Sequence, residues 1–187
     1  MQNNYIPNIF KEKLSLFFNY FRSLIFILAS MFLLFSLLTF DIDDNSFLTS
    51  SSGQTDNIFG SFGAHISSFI LYTFGLLSYG LVLFLLIISL QIFFLKYSSY
   101  FFIKLFIFSL SLVLIPQTLI YMNIEVDIID PISTWGILAD KLYSFHESKY
   151  WSYTFSIIGI IIFLLSLNIL RKFKLPKLNF NKQSFSS

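Results

Sequence analysis

Cysteine is absent from the sequence, and charge is scarce along it, with only 12% of residues Asp, Glu, Lys or Arg. The first absence removes a disulfide framework, a thiolate nucleophile and any cysteine-based metal site. The second accompanies 56% hydrophobic residues, 20% aromatic residues and a mean hydropathy of +0.75. A soluble domain cannot hide that much apolar surface, since a folded chain of about 150 residues still leaves roughly 30% of its surface wet. The solvent for this chain is therefore a bilayer. No Asp, Glu, Lys, Arg or His lies near the centre of any long apolar run. Proton relays, ion-coupled transport and voltage sensing need such groups in the membrane.

Motifs of soluble chemistry are missing too. None of the seven glycines is followed by Lys, so no Walker-type phosphate loop is present. His65 and His146 stand in different loops without an H-E-x-x-H pattern, and a zinc site needs several ligands. Both read as interfacial or capping side chains. In "GSFG", Gly60 to Gly63, Ser61 is out of register for a nucleophile elbow. Asp41, Asp43 and Asn45 alternate as in a calcium loop, but Ser46 replaces the sixth-position glycine and Ser52 the twelfth-position glutamate. The expectation is a protein with no catalytic, cofactor-binding or metal-binding residues.

What the chain does contain is four continuous apolar runs near residues 24–40, 66–95, 101–122 and 153–170. A lipid-spanning helix needs about 20 mostly apolar residues. Barrel strands would alternate in segments of about ten residues, so the fold class is an all-α integral membrane protein with four transmembrane helices. The domain division that follows is a cytoplasmic segment 1–22, a four-span domain 23–171, and a basic and polar tail 172–187. The second run is long enough to extend beyond the hydrocarbon. The first is too long for a signal-peptide core and has no small-x-small cleavage site after it, so it reads as a retained anchor.

Basic residues orient a membrane chain, because cytoplasmic flanks collect Lys and Arg. Lys11, Lys13, Arg22, Lys96, Lys104, Arg171, Lys172, Lys174, Lys177 and Lys182 fall on one side. Asp41, Asp43, Asp44 and Asp56 occupy one opposite loop, and Glu125, Asp127, Asp130, Asp140 and Glu147 the other, joined only by Lys141 and Lys149. Both termini are thus expected in the cytoplasm, with two acidic loops outside.

Residues Ile9 to Arg22 follow Pro7 and Asn8, which suit a helix start, and place Lys11, Ser15, Asn19 and Arg22 on one stripe. Two readings stay open for this segment: an interfacial helix, or a helical lead-in to the first span with no separate role. In the second outer loop Asp130-Pro131 marks a turn, after which Trp135, Leu138, Leu142 and Phe145 recur at helical spacing. An amphipathic helix on the membrane surface is expected there, followed by an aromatic belt at Tyr150, Trp151 and Tyr153. In the tail, Pro176 opposes a continued helix, and its basic residues suit anionic headgroups.

Gln91, Gln117 and Asn168 are the strongest polar side chains at or inside span boundaries, and interhelical hydrogen bonding is their expected use. Asp41, Asp43 and Asp44 end the first run by their desolvation cost. Gly60, Gly63, Ala64, Ser67 and Ser68 then form a small-residue approach to the second span. With Gly60 and Ala64 four apart, one helix face accepts close contact, and Gly75 and Ser78 extend it inward.

The order of an apolar span, "TFDIDDNSF", "NIFGSFGA" and "FGLLSYG" resembles the amino-terminal four-span membrane domain of the FtsK/SpoIIIE DNA translocase family. Asp44, Ser46 and Phe47 match the family's D-P-S-[FW] group, with Asn45 where proline is usual. Asn57, Gly60, Gly63 and Ala64 match N-x-x-G-x-x-G-A, and Phe74 and Gly75 match the F-G of the second helix. Trp135-Gly136 agrees with a glycine-containing segment before the last span. The resemblance runs from about Arg22 to Arg171. It implies a membrane-anchoring and septum-assembly domain of a DNA translocase acting in cell division and chromosome segregation, in the bacterial inner membrane. The implied partners are the lipid bilayer, division-septum proteins and further copies of the chain, a hexamer where a motor is joined. DNA is reached only through a motor, and no ATPase motif occurs in these residues. A detached domain and a separately encoded membrane part both fit that pattern. The reading from another class is a small transport component lined by Gln91, Gln117 and Asn168, or a membrane-complex assembly factor.

Overall fold

The computed structural model describes residues 8–49, 55–95, 100–124 and 133–167, and among these every regular element is helical. Helix α1 runs Asn8–Leu38, α2 Gly60–Phe74, α3 Tyr79–Leu95, α4 Phe101–Leu114, α5 Gln117–Tyr121, α6 Ile137–His146 and α7 Lys149–Ser166. A 3-10 turn, Gly75–Ser78, joins α2 to α3, so the two form one crossing. Four stretches are long and apolar enough to cross a membrane: Phe10–Leu38, Gly60–Phe94, Phe101–Tyr121 and Lys149–Ser166. This is the four-span, all-α architecture.

The limits of the spans differ from the expected ones. The first helix begins at Asn8 rather than near Leu24 and passes through Arg22 without a break. Ile9 to Arg22 is therefore continuous with the span as a lead-in, its apolar side chains Phe10, Leu14, Phe17, Phe18 and Phe21 all exposed. The second crossing starts at Gly60, not Ile66, and is interrupted at Gly75. The fourth starts at Lys149, ahead of the aromatic group, because Ser148 is extended and the chain turns into the helix immediately after it. Asn168, the Asp130-Pro131 pair and the tail 172–187 lie outside the described residues.

Helices α1 and α3 pack antiparallel, and serines bring them together. Ser23 Oγ donates to Ser89 O at 3.0 Å while Ser89 Oγ donates to Ser23 O at 2.9 Å, a reciprocal pair. Two turns along, Ser30 Oγ donates to Val82 O at 3.0 Å. Small hydroxyl residues let the two backbones approach, and each such interhelical bond adds about 0.6 kcal/mol. Phe84 and Ile88 lie between these bonds on α3, and with Leu33, Leu37, Leu71, Val82 and Ile92 they form the core, joined from α4 by Phe108 and Leu112. The Phe84 and Phe108 rings lie 4.5 Å apart, and Phe108 meets Phe163 of α7 at 5.3 Å.

Helices α4 and α7 make the second close pair. A Cβ on Gly159 would lie 2.8 Å from Ile115 N and from Leu114 Cβ. Pro116 breaks the third crossing at this level, and Ser156 of α7 takes over the polar groups that the break frees. Its hydroxyl donates to Ile115 O at 2.8 Å and accepts from Thr118 N at 3.0 Å. Serine and threonine commonly re-satisfy a proline-broken helix in lipid in this way.

The contacts define two ends. At one, Ser23 meets Ser89, Gln91 Nε2 donates to Leu167 O at 2.7 Å, and Phe26 packs on Phe101 at 4.7 Å. Arg22 and Lys104 lie here, and it is called the basic end below. At the other lie the loop after α1, the start of α2, and α5 and α6; it is called the motif end.

Replacing Gly159 by Leu is expected to force α4 and α7 apart and lower stability by about 1–3 kcal/mol. Removing both Ser23 and Ser89 hydroxyls by alanine is expected to cost only about 1 kcal/mol, because the flanking apolar packing stays. Reversible denaturant titration of the purified protein in mixed micelles, followed by circular dichroism, measures both.

Candidate functional site

The motif end begins where α1 runs out of apolar residues. A helix terminus leaves backbone carbonyls without intrahelical partners. Asn57, 96% buried, supplies them: its Nδ2 donates to Ser36 O at 2.9 Å and Thr39 O at 3.2 Å. The same side chain uses its Oδ1 to accept Phe59 N at 3.1 Å, an Asx turn that sets the start of α2. One asparagine thus ties the end of the first span to the beginning of the second.

Asp44 holds Asn57 in place. It is 98% buried, and its two carboxylate oxygens accept the backbone amides of Asp56 at 2.6 Å and Asn57 at 3.1 Å. The neighbouring acids behave differently: Asp41, Asp43 and Asp56 are exposed. Asp41 only accepts Asp43 N at 2.9 Å, a local turn. The motif match singles out Asp44 among these four acids, and the fold shows the task that goes with it.

Ser46 and Phe47 complete the loop. Ser46 N donates to Thr49 O at 2.9 Å, and Thr49 Oγ1 donates to Asp44 O at 2.5 Å, closing a tight turn behind the aspartate. Phe47 N donates to Ser68 Oγ at 3.2 Å, which docks the loop on α2. The Phe47 ring is exposed and meets Phe69 edge-on at 5.6 Å.

The glycines divide between two roles. At Gly63 a Cβ would fall on Asn57 Oδ1 and lie 2.8 Å from Phe59 Cβ, so only glycine admits the asparagine clasp. Ala64, Ser67, Ser68 and Leu71 continue this buried face of α2. Gly60 does not belong to it: a Cβ there meets nothing within 4 Å, but its φ is +62°. The expected Gly60–Ala64 contact face is thus shifted to Gly63, Ala64, Ser67 and Ser68, and Gly60 serves the turn that starts the helix.

The FG pair lies deeper, at the interruption of the second crossing. Phe74 packs against the hydrophobic core. Gly75, at φ +56°, is crossed by the segment before α6: a Cβ would fall on Thr134 O and lie 2.6 Å from Gly136 N. Gly136, at φ +84°, is locked reciprocally, with a Cβ 2.5 Å from Thr73 O and 2.6 Å from Gly75 N. Leu76 N donates to Thr134 O at 2.8 Å, restoring a backbone bond lost at the break. The two glycines are far apart in sequence, each visible as a glycine, and only the fold shows that they face each other.

Helix α6 is shorter than its aromatic spacing implies. Trp135 lies before it and donates Nε1 to Ile124 O at 2.8 Å. Ala139 is the buried residue of α6, while Leu138 and Phe145 are exposed. Gln117 anchors this helix: its Nε2 donates to Ala139 O and to Val113 O, each at 3.0 Å. Gln91 and Gln117 therefore serve opposite ends of the bundle, both as donors to main-chain carbonyls. The histidines are likewise engaged locally, His65 Nδ1 with Ser61 O at 2.7 Å and His146 Nε2 with Ser152 Oγ at 3.2 Å. Among the described residues no group of three or more His, Asp or Glu side chains is placed to hold a metal.

The class of protein is a four-span helical membrane domain most of whose buried polar side chains, among the described residues, bond its own backbone. The chain belongs to the FtsK/SpoIIIE family through its membrane region: the family model for the 4TM region of DNA translocase FtsK/SpoIIIE matches residues 17–138. The match includes Asp44, Ser46, Phe47, Asn57, Gly60, Gly63, Ala64, Phe74 and Gly75, and also Gly136. It ends within α6, short of Arg171, so α7 is described by the structure and not by the match. No curated protein and no solved structure matches the chain.

Asp44→Ala is expected to lower stability by about 2–3 kcal/mol, because two backbone amides lose a charged acceptor in a buried setting. Asp43→Ala, at an exposed position, should change it by less than about 0.5 kcal/mol. Gly63→Ala should resemble Asp44→Ala in magnitude by expelling Asn57. Thermal unfolding of the three variants in the same detergent ranks them, and equal values for Asp43 and Asp44 would refute the assignment.

Proposed function

We propose that this chain serves as the membrane-anchoring and septum-assembly domain of an FtsK-type DNA translocase in cell division and chromosome segregation. In this reading it lies in the bacterial cytoplasmic membrane with both termini in the cytoplasm. ATP-driven movement of DNA belongs to the family's motor and not to these helices. The observation that carries the reading is the family match together with what the matched residues do. They tie the first span to the second at the Asp44–Asn57 clasp and build a stable platform.

The distribution of polar groups supports an anchor. Gln91 and Gln117 donate to carbonyls at opposite ends of the bundle, which disfavours one aqueous transport path lined by both. Asp41, Asp43 and Asp56 are exposed around the clasp, and Phe47, Ile58 and Phe62, from the same loop and the start of α2, are exposed as well. Acidic and aromatic groups together make this the surface for septal partners.

A carboxy-terminal fluorescent fusion at native expression level tests the reading. Midcell enrichment during constriction is the expected outcome. An even peripheral signal throughout the cell cycle would overturn it and favour a transport or assembly role. Within the same assay, replacing Asp41, Asp43 and Asp56 together by Asn is expected to weaken midcell enrichment without lowering thermal stability.

A further inference from the structure

The basic end carries two open grooves on either side of the first turn of α4. One, of about 590 Å³, lies against α1 and is lined by Arg22, Phe26 and Phe102. The other, of about 640 Å³, lies against α7 and is lined by Lys104, Ile107, Ile162 and Leu165. Tyr100 and Ile103 line both. Both volumes fall in the range of roughly 300–1,000 Å³ usual for small-molecule sites.

We propose that this saddle binds one anionic diacyl phospholipid, with an acyl chain in each groove and the phosphate at the level of Tyr100, between Arg22 and Lys104. Three features select that occupant. The groove walls are apolar, as acyl chains require. Each groove has one cation in its lining, Arg22 or Lys104, and among the described lining residues there is no Asp or Glu, which suits a headgroup of net negative charge. The grooves share Tyr100 and Ile103 but are walled by different helices, α1 and α7, which matches two chains leaving a single glycerol better than a single peptide helix.

The side chains suit the task. Arginine and lysine lay their stems along apolar surface and hold the charge at the headgroup level. Arg22 donates Nη2 to Asn19 Oδ1 at 3.3 Å, which orients the guanidinium and leaves its other N–H groups for a phosphate oxygen. Lys104 is half-buried, one turn into α4. Basic pockets between spans bind anionic headgroups by this combination of charge and depth. The site rests on the four-span fold alone, so the division role and the lipid site stand or fall separately.

Native mass spectrometry of the whole chain, released from nanodiscs of equal phosphatidylglycerol and phosphatidylcholine, tests the site. One retained phosphatidylglycerol per chain is expected, in clear excess over phosphatidylcholine. Arg22→Gln and Lys104→Gln should each lower its retention about fivefold. Lys11→Gln with Lys13→Gln removes as much charge outside the grooves and should leave retention unchanged. Ile103→Trp, at a lipid-exposed position, fills both grooves with the charges intact and should also abolish retention. Equal retention of the two lipids, or equal loss in the Lys11 and Lys13 variant, would overturn the proposal. So would undiminished retention in Ile103→Trp.

Discussion

Backbone amides and carbonyls have no water to turn to inside hydrocarbon, and every interruption of a spanning helix has to be repaired by the protein itself. This chain interrupts its helices repeatedly, and at each place a particular group makes the repair. Asn57 takes the carbonyls at the end of α1, Ser156 takes the groups freed by Pro116, Thr134 O takes Leu76 N beside Gly75, and Gln91 takes Leu167 O. Remove these and the crossings remain apolar enough to enter a bilayer but lose their fixed arrangement. The apolar core packs the same helices together between these repairs.

This use of polar residues also bears on function. A transporter keeps some intramembrane polar groups uncommitted, so that substrate or ions can bind them. Here the amides and most buried hydroxyls are spent on main-chain partners, with Ser36 Oγ, Ser78 Oγ and Gln117 Oε1 the buried side-chain atoms without one among the described residues. The motif end combines a rigid clasp with exposed acids and aromatics, and the basic end combines cations with apolar grooves.

Much of the fold is legible in the amino-acid order, for a simple reason. Crossing a membrane is a one-dimensional problem of length and hydropathy, so four runs of suitable length lead directly to four spans, and the motif spacing leads to the family. The exact helix limits are less legible. Phe10, Phe17 and Phe21 are as compatible with an interfacial helix as with the continuous α1, and only the absence of a break at Arg22 distinguishes them. The candidate site was legible as a set of residues but not as a mechanism. The motif match singles out Asp44 from Asp41, Asp43 and Asp56, but nothing in that match says that it is buried and accepts the amides of Asp56 and Asn57. Gly60 and Gly63 share a motif, yet one answers to a backbone angle and the other to a neighbouring side chain.

The sequence by itself determined the solvent, the number of crossings, the segregation of charge and the family, because each depends on composition and spacing along the chain. The tertiary structure decided which carboxylate is enclosed, which glycine faces which, and which helix break each polar side chain repairs. Gly75 and Gly136 show why. Their close approach depends on the α2–α3 interruption and the segment before α6 arriving at one point in space, and such long-range contact geometry has no signature in the order of residues near either glycine.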